Sequence, residues 1–258
     1  MHGAIIGDIV GSPFEFKRMK RKDFQWFASG CGITDDTVCT VAVADSVLND
    51  KDIIASLREW ALRDFKLSGG YGKQFIQWLA QDNPKPYTSY GNGAAMRISP
   101  VAWLSKTEEG MLAEAERITA ISHNHPEGIK GARATALAIW MARHGSTVGA
   151  IRKRLEMEFG YDLSRTVDGI RPDYERSEAS QTSVPESIIC ALESECFEDA
   201  ITNAVSLGGD ADTMACIAGS IAEARFGVPD ALVHKAITYL PREMLKVVEQ
   251  FYQSLALD

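Results

Sequence analysis

The chain has 258 residues, 45% of them hydrophobic, which suits a globular protein with a substantial core. Its formal charge of −8 argues against nonspecific nucleic-acid binding. No apolar run reaches transmembrane length and the first residues are not a signal peptide, so no membrane partner and a cytoplasmic location are expected. The five cysteines (31, 39, 190, 196 and 216) form no CxxC pair and read as reduced thiols without a zinc site.

In chain order, Gly3 to Phe16 is rich in small residues, with glycines at 3, 7 and 11. Such residues imply close helix packing or a backbone near a ligand. Glu15 stands between Phe14 and Phe16, surroundings that raise a carboxyl pKa and suit proton exchange. Residues 13–33 leave room for a small hairpin. Within them, Lys17 to Lys22 holds five basic residues in six positions and reads as a solvated loop.

Thr34-Asp35-Asp36-Thr37 then precedes Val38, Val41 and Ala42 at helical spacing. Ile53, Leu57, Trp60 and Ala61 mark the apolar face of another helix. Tyr71-Gly72 follows two glycines in a flexible loop. A short helix carries Phe75, Trp78 and Leu79 and breaks at Asn83-Pro84. Ser89-Tyr90-Gly91-Asn92-Gly93 leads into an Ala-rich helical stretch. Unpaired N–H groups there suit a phosphate, although the Walker A residues are absent.

A helix is expected from Thr107 through Ile118. Another has Pro126 at its first position and stops at Gly145. Between them, His123 and His125 lie two apart without a third nitrogen or sulfur ligand. One of them is expected to hydrogen-bond substrate or backbone. Residues 161–182 are polar and aperiodic and read as a connecting loop, and Pro185, Pro229 and Pro241 each stand where a helix could begin. Gly208-Gly209-Asp210-Ala211-Asp212-Thr213 opens a last apolar helix through Met214, Ile217 and Ile221. With no repeat, linker or strand pattern, the expected fold is all-α, one domain over residues 1–258.

The two acidic runs carry the chemistry. Each alone reads as a helix N-cap. Capping uses one side chain, however, and each run offers three or four oxygen groups. Asp35, Asp36, Asp210 and Asp212, with Thr34 and Thr213, form an all-oxygen set that suits Mg²⁺ or Mn²⁺ better than Zn²⁺. Four carboxylates balance two divalent ions. Glu15 lies outside both runs.

These blocks together resemble the ADP-ribosylglycohydrolases. The matching segments are residues 3–16 (GAIIGDIVGSPFEF), 33–37 (ITDDT), 89–100 (SYGNGAAMRISP), 122–132 (SHNHPEGIKGA), 183–194 (SVPESIICALES) and 207–227 (LGGDADTMACIAGSIAEARFG). They occur in family order and span almost the whole chain.

The resemblance implies a compact helical fold with largely parallel packing and a site for two Mg²⁺ or Mn²⁺ ions. Thr34, Asp35, Asp36, Asp210, Asp212 and Thr213 would be the ligands. Glu15 matches a mobile acidic residue with a catalytic or gating role, and Asp35 and Asp36 share the catalytic group. Ser89, Tyr90, Gly91, Asn92 and Gly93 would hold the diphosphate and distal ribose. His123, Tyr71, Gly72 and Gly209 would line the pocket.

The implied function is hydrolysis of the bond between ADP-ribose and a protein, nucleic-acid or small-molecule acceptor, by a monomer. The alternatives are a non-catalytic ADP-ribose-binding module and a Mg²⁺-dependent phosphohydrolase. The chain is short for the family, which points to trimmed acceptor-selecting loops. Phe16 to Ile33 matches no family motif.

Overall fold

A computed structural model describes residues 1–257, and every regular element among them is helical. In chain order the helices are α1 His2–Gly11, α2 Asp35–Leu48, α3 Ile53–Ala61, α4 Lys73–Leu79, α5 Gly93–Met96, α6 Ser99–Leu104, α7 Glu108–Ala120 and α8 Pro126–Arg143. There follow α9 Val148–Phe159, α10 Val167–Ile170, α11 Ser180–Glu193, α12 Phe197–Ser206, α13 Ala211–Phe226, α14 Asp230–Ala236 and α15 Arg242–Leu255. The all-α expectation holds. Among the described residues, no helix is long and apolar enough to cross a membrane.

Helix starts follow local chemistry. Thr34, Asp52, Thr107, Thr147 and Thr166 each turn a side-chain oxygen onto an N–H of the first turn. Pro126 is the first residue of α8, where its missing N–H costs nothing. Gly145, just past α8, takes φ +73° and ends it.

Three expectations are corrected. Residues 13–33 form no hairpin: Pro13 lies in a 3-10 turn and the rest is irregular, because its basic side chains pair with distant segments. Residues 161–182 are not all loop, since α10 and the start of α11 fall within them. Pro185 lies inside α11 and does not begin it. The Ser183 and Ser187 hydroxyls bond the carbonyls of Ala179 and Ser183 around it.

The centre of the molecule is the α1–α13 pair, buried from Gly3 to Gly11 and from Ala211 to Glu223. A Cβ built on Gly3 would lie 2.1 Å from the Gly219 carbonyl oxygen, one on Gly7 2.1 Å from that of Ala215, and one on Gly11 2.5 Å from that of Ala211. The small residues therefore serve helix packing, backbone against backbone. This register makes the pair antiparallel. It also brings the C-terminal end of α1 to the N-terminal end of α13.

A second support is polar. Asp8, fully buried in α1, accepts from Thr34 N (3.0 Å), Thr34 Oγ1 (2.8 Å), Thr37 N (3.1 Å) and Thr37 Oγ1. A carboxylate of α1 thus caps the first turn of α2. Burial still pushes its carboxyl up to about 6 against those four bonds.

Candidate active site

The antiparallel register has a direct consequence. Glu15 follows α1 by four residues and Asp210 immediately precedes α13, so the two meet at one end of the central pair. Ligand oxygens of Glu15, Asp210 and Asp212 lie within 4.8 Å of one another. Glu15, outside both acidic runs in the sequence, is in space part of the second. The first run joins through a hydrogen bond from Thr213 Oγ1 to Asp36 Oδ1 at 3.3 Å. Asn92 Nδ2 donates to Asp210 Oδ2 at 2.8 Å, which ties the glycine loop to the same cluster.

So many acids in one buried place resist ionisation. Burial pushes the Glu15 carboxyl up to about 7, the charge of Asp210 adds to this, and Arg176 opposes it. Burial, then the charge of Asp8, raises Asp35 to about 7. Burial and mutual repulsion hold Asp36 and Asp212 well above the carboxylate range. Asp36 Oδ2 is buried with no hydrogen-bond partner. An orphaned carboxylate oxygen beside three clustered carboxylates is a donor set that fits a hard cation.

The acids open into a cleft of about 350 Å³, within the size range of small-molecule sites. Its walls include Glu15, Asp35, Asp36, Asp210, Asp212 and Thr213 from the acidic runs. From the expected substrate residues they include Gly72, Ser89, Gly91, Asn92, Gly93 and His123.

Four expected residues lie elsewhere. Thr34 is fully buried, its Oγ1 donating to Asp8 and accepting from Asp36 N. Tyr71 packs on Phe75 at 5.7 Å behind the wall. Tyr90 is largely exposed, edge-on to the ring of His125. Gly209 packs against Tyr174, which a Cβ would meet at 2.4 Å. The two histidines separate in role: His125 Nδ1 caps α8 by accepting from Glu127 N, and His123 faces the cleft.

The sequence pointed to neither of two cations now found here. Arg176 spreads over the acids, Nη2 to Glu15 Oε1 (3.1 Å) and to Asp210 Oδ1 (3.2 Å), Nη1 to Glu178 Oε1 (2.7 Å). It comes from the polar stretch with no periodicity, where nothing marks it.

Lys20, from the basic run, is not a solvated residue. Its Nζ donates to the carbonyls of Arg171 (2.7 Å), Tyr174 (2.7 Å) and Leu207 (2.6 Å). This ammonium pins the 171–174 segment to the turn before Asp210. There Gly208 takes φ +66°, and a Cβ on it would lie 2.7 Å from Met19 O.

Comparisons with known proteins agree over most or nearly all of the chain. The sequence model of the family described as ADP-ribosylglycohydrolase matches residues 1–256. The chain is 26% identical over 304 residues to the ADP-ribosylhydrolase ARH3 of Danio rerio, with 88% of this chain and 81% of that protein covered. It is 25% identical over 287 residues to the ADP-ribosyl-(dinitrogen reductase) glycohydrolase of Rhodospirillum rubrum, covering 99% and 95%. It is 25% identical over 262 residues to the ADP-ribosylarginine hydrolase Tri1 of Pseudomonas putida (strain GB-1), covering 88% and 69%. A solved structure described as an ADP-ribosylglycohydrolase-related protein complex shares the fold, with a TM-score of 0.68 at 22% identity over 99% of this chain and 95% of that one.

Proposed function

The chain belongs to the ADP-ribosylglycohydrolase family, and on that premise we propose that it hydrolyses the glycosidic bond joining ADP-ribose to an acceptor and releases ADP-ribose. The observation that carries this reading is the meeting of Glu15 with Asp210 and Asp212 beside the orphaned oxygen of Asp36, in a cleft of substrate size.

In this reading Asp35, Asp36, Asp210, Asp212 and Thr213, with Thr34 behind them, would hold two Mg²⁺ or Mn²⁺ ions. The ions would supply positive charge opposite the ribose oxygens of the substrate. The chain's own residues do the rest. Ser89, Gly91, Asn92 and Gly93 line the part of the cleft that receives the diphosphate and distal ribose. Glu15 Oε1 is held by Arg176, which leaves Oε2 to pass a proton. The bond from the anomeric carbon to the acceptor breaks through an oxocarbenium-like state, water adds to that carbon, and the acceptor leaves with a proton. Residues 1–258 act as one domain and one monomer in the cytoplasm.

The test is a panel of Arg-, Ser- and base-linked ADP-ribose substrates, incubated with Mg²⁺ or Mn²⁺ and with chelator, and read by mass spectrometry. Metal-dependent release of intact ADP-ribose is expected, and the substrate cleaved identifies the acceptor. AMP or phosphate as product would mark a phosphohydrolase, and tight ADP-ribose binding without cleavage would mark a binding module.

A further inference from the structure

Beside the cleft sits a buried cation with no carboxylate. Arg97, at the end of α5, is 1% exposed. Its guanidinium lies 5.7 Å from the Phe75 ring centroid, Nη2 donates to Ser122 Oγ at 2.9 Å, and Nε has no partner. A guanidinium taken from water without a counter-charge costs several kcal/mol. Arg97 also meets the Cys39 thiol, and it lines the same cleft as Asp35 and Asp36, so its charge faces the space where a ligand would lie.

The direction is given by the next bond. Ser122 Oγ lies 2.8 Å from His123 Nδ1. That hydroxyl accepts from Arg97, and its own buried proton has no hydrogen-bond acceptor but His123 Nδ1 among the described residues, so it donates there. Nδ1 then carries no hydrogen, and the neutral ring carries it on Nε2. Burial and the charge of Arg97 both keep the ring neutral. Nε2 faces the glycine loop: a Cβ on Gly93 would lie 3.2 Å from it, and one on Gly91 3.7 Å. Glycine at both positions keeps the approach to this donor open, and no protein acceptor bonds it among the described residues.

We propose that Arg97 and Ser122 are positioning residues that fix His123 as a neutral Nε2–H donor, aimed over the glycine loop at an anionic oxygen such as that of a nucleoside diphosphate. The relay runs Arg97 to Ser122 to His123 to ligand, each group donating to the next. The identity of the oxygen rests on the function proposed above, whereas the tautomer belongs to the ligand-free protein.

Long-range ¹H–¹⁵N NMR on the full chain with labelled histidine reads the tautomer directly. Wild type is expected to show His123 as Nε2–H at neutral pH. In Arg97→Met the hydroxyl of Ser122 loses the cation that polarises it, and in Ser122→Ala the donor to Nδ1 is gone, so both variants should weaken the preference. ADP-ribose affinity by calorimetry should fall about tenfold in Ser122→Ala, with Mn²⁺ affinity unchanged within about twofold.

An Nδ1–H tautomer in wild type overturns the relay without need of any variant. So does a Ser122→Ala protein that keeps both the wild-type tautomer and the wild-type ADP-ribose affinity. A wild type with the Nε2–H tautomer but no ADP-ribose binding keeps the relay and overturns the ligand assignment instead.

Discussion

Arg176 Nη2 lies 3.2 Å from Asp210 Oδ1, across 34 residues of chain, so a side-chain cation rests on the cluster that best suits a metal ion. The same nitrogen reaches Glu15. The guanidinium supplies part of the positive charge that these buried acids need, and it stands in the way of a second cation at the same oxygens.

Removing that charge should favour metal. Arg176→Ala is expected to bind Mn²⁺ about three- to tenfold more tightly, the scale of a partly exposed ion pair. Calorimetric titration measures it. Weaker binding would show instead that Arg176 organises the carboxylates for the ion.

Glu15 and Asp36 should fail differently. Glu15→Gln is expected to lower single-turnover cleavage about 10²–10⁴-fold if Glu15 moves the proton. Because Glu15 shares its cluster with Asp210 and Asp212, some loss of Mn²⁺ affinity should accompany it. Asp36→Asn should lose metal first and turnover with it. Wild-type turnover in Glu15→Gln removes Glu15 from the mechanism.

Lys20→Met leaves the carbonyls of Arg171, Tyr174 and Leu207 without their shared donor. A loss of about 2–3 kcal/mol is expected, since a hydrogen bond from a charged group is worth about 1.5–3. Metal affinity should drop as well, because the turn that carries Asp210 is released. Urea unfolding and Mn²⁺ titration read the two effects. A stable variant with normal affinity would return the basic run to the status of a solvated loop.

Asp45, at the far end of α2, gives a pH signature distinct from the site. Burial alone would raise its carboxyl, but hydrogen bonds from Lys51, Trp60 and Asn49 outweigh burial and hold it below the carboxylate range. A depressed folded-state pKa stabilises above the unfolded value and loses that contribution as pH falls through the folded one. Asp45→Ala should cost about 2–3 kcal/mol near neutral pH, where Trp60 Nε1 loses its acceptor. The gap to wild type in urea midpoint should narrow below about pH 3.9. A constant gap down to about pH 3 would contradict the assignment.

The sequence showed most of what depends on short spacing. Thr34, Thr107, Pro126 and the apolar faces are local features, and α2, α7 and α8 stand where those features put them. The two acidic runs were readable because each concentrates oxygens within a few residues. Pro185 misled because a proline in the second turn resembles one in the first. The three polar partners Asp8, Lys20 and Arg176 were missed because each acts on a distant segment. Lys20 bonds a carbonyl 187 residues away, and no periodicity encodes such a pairing. Thr34 is a further case: its hydroxyl bonds Asp8, 26 residues away, a pairing that local spacing does not encode.

The backbone contact between Gly3 and Gly219 also sets an order of events in time. α1 cannot find its partner until α13 has been made, and at a synthesis rate of about 5–20 residues per second that is a wait of about 10–40 s. During that interval a strongly apolar helix has no surface to cover it, and the acids of Asp35 and Asp36 have no opposing half. Docking residues this far apart carries a large loop-closure cost, which slows folding. A nascent chain stopped before residue 210 would hold Glu15, Asp35 and Asp36 without Asp210, Asp212 and Thr213. The acidic site is therefore complete only once α13 has been made, and α1 is the segment most in need of shelter until then.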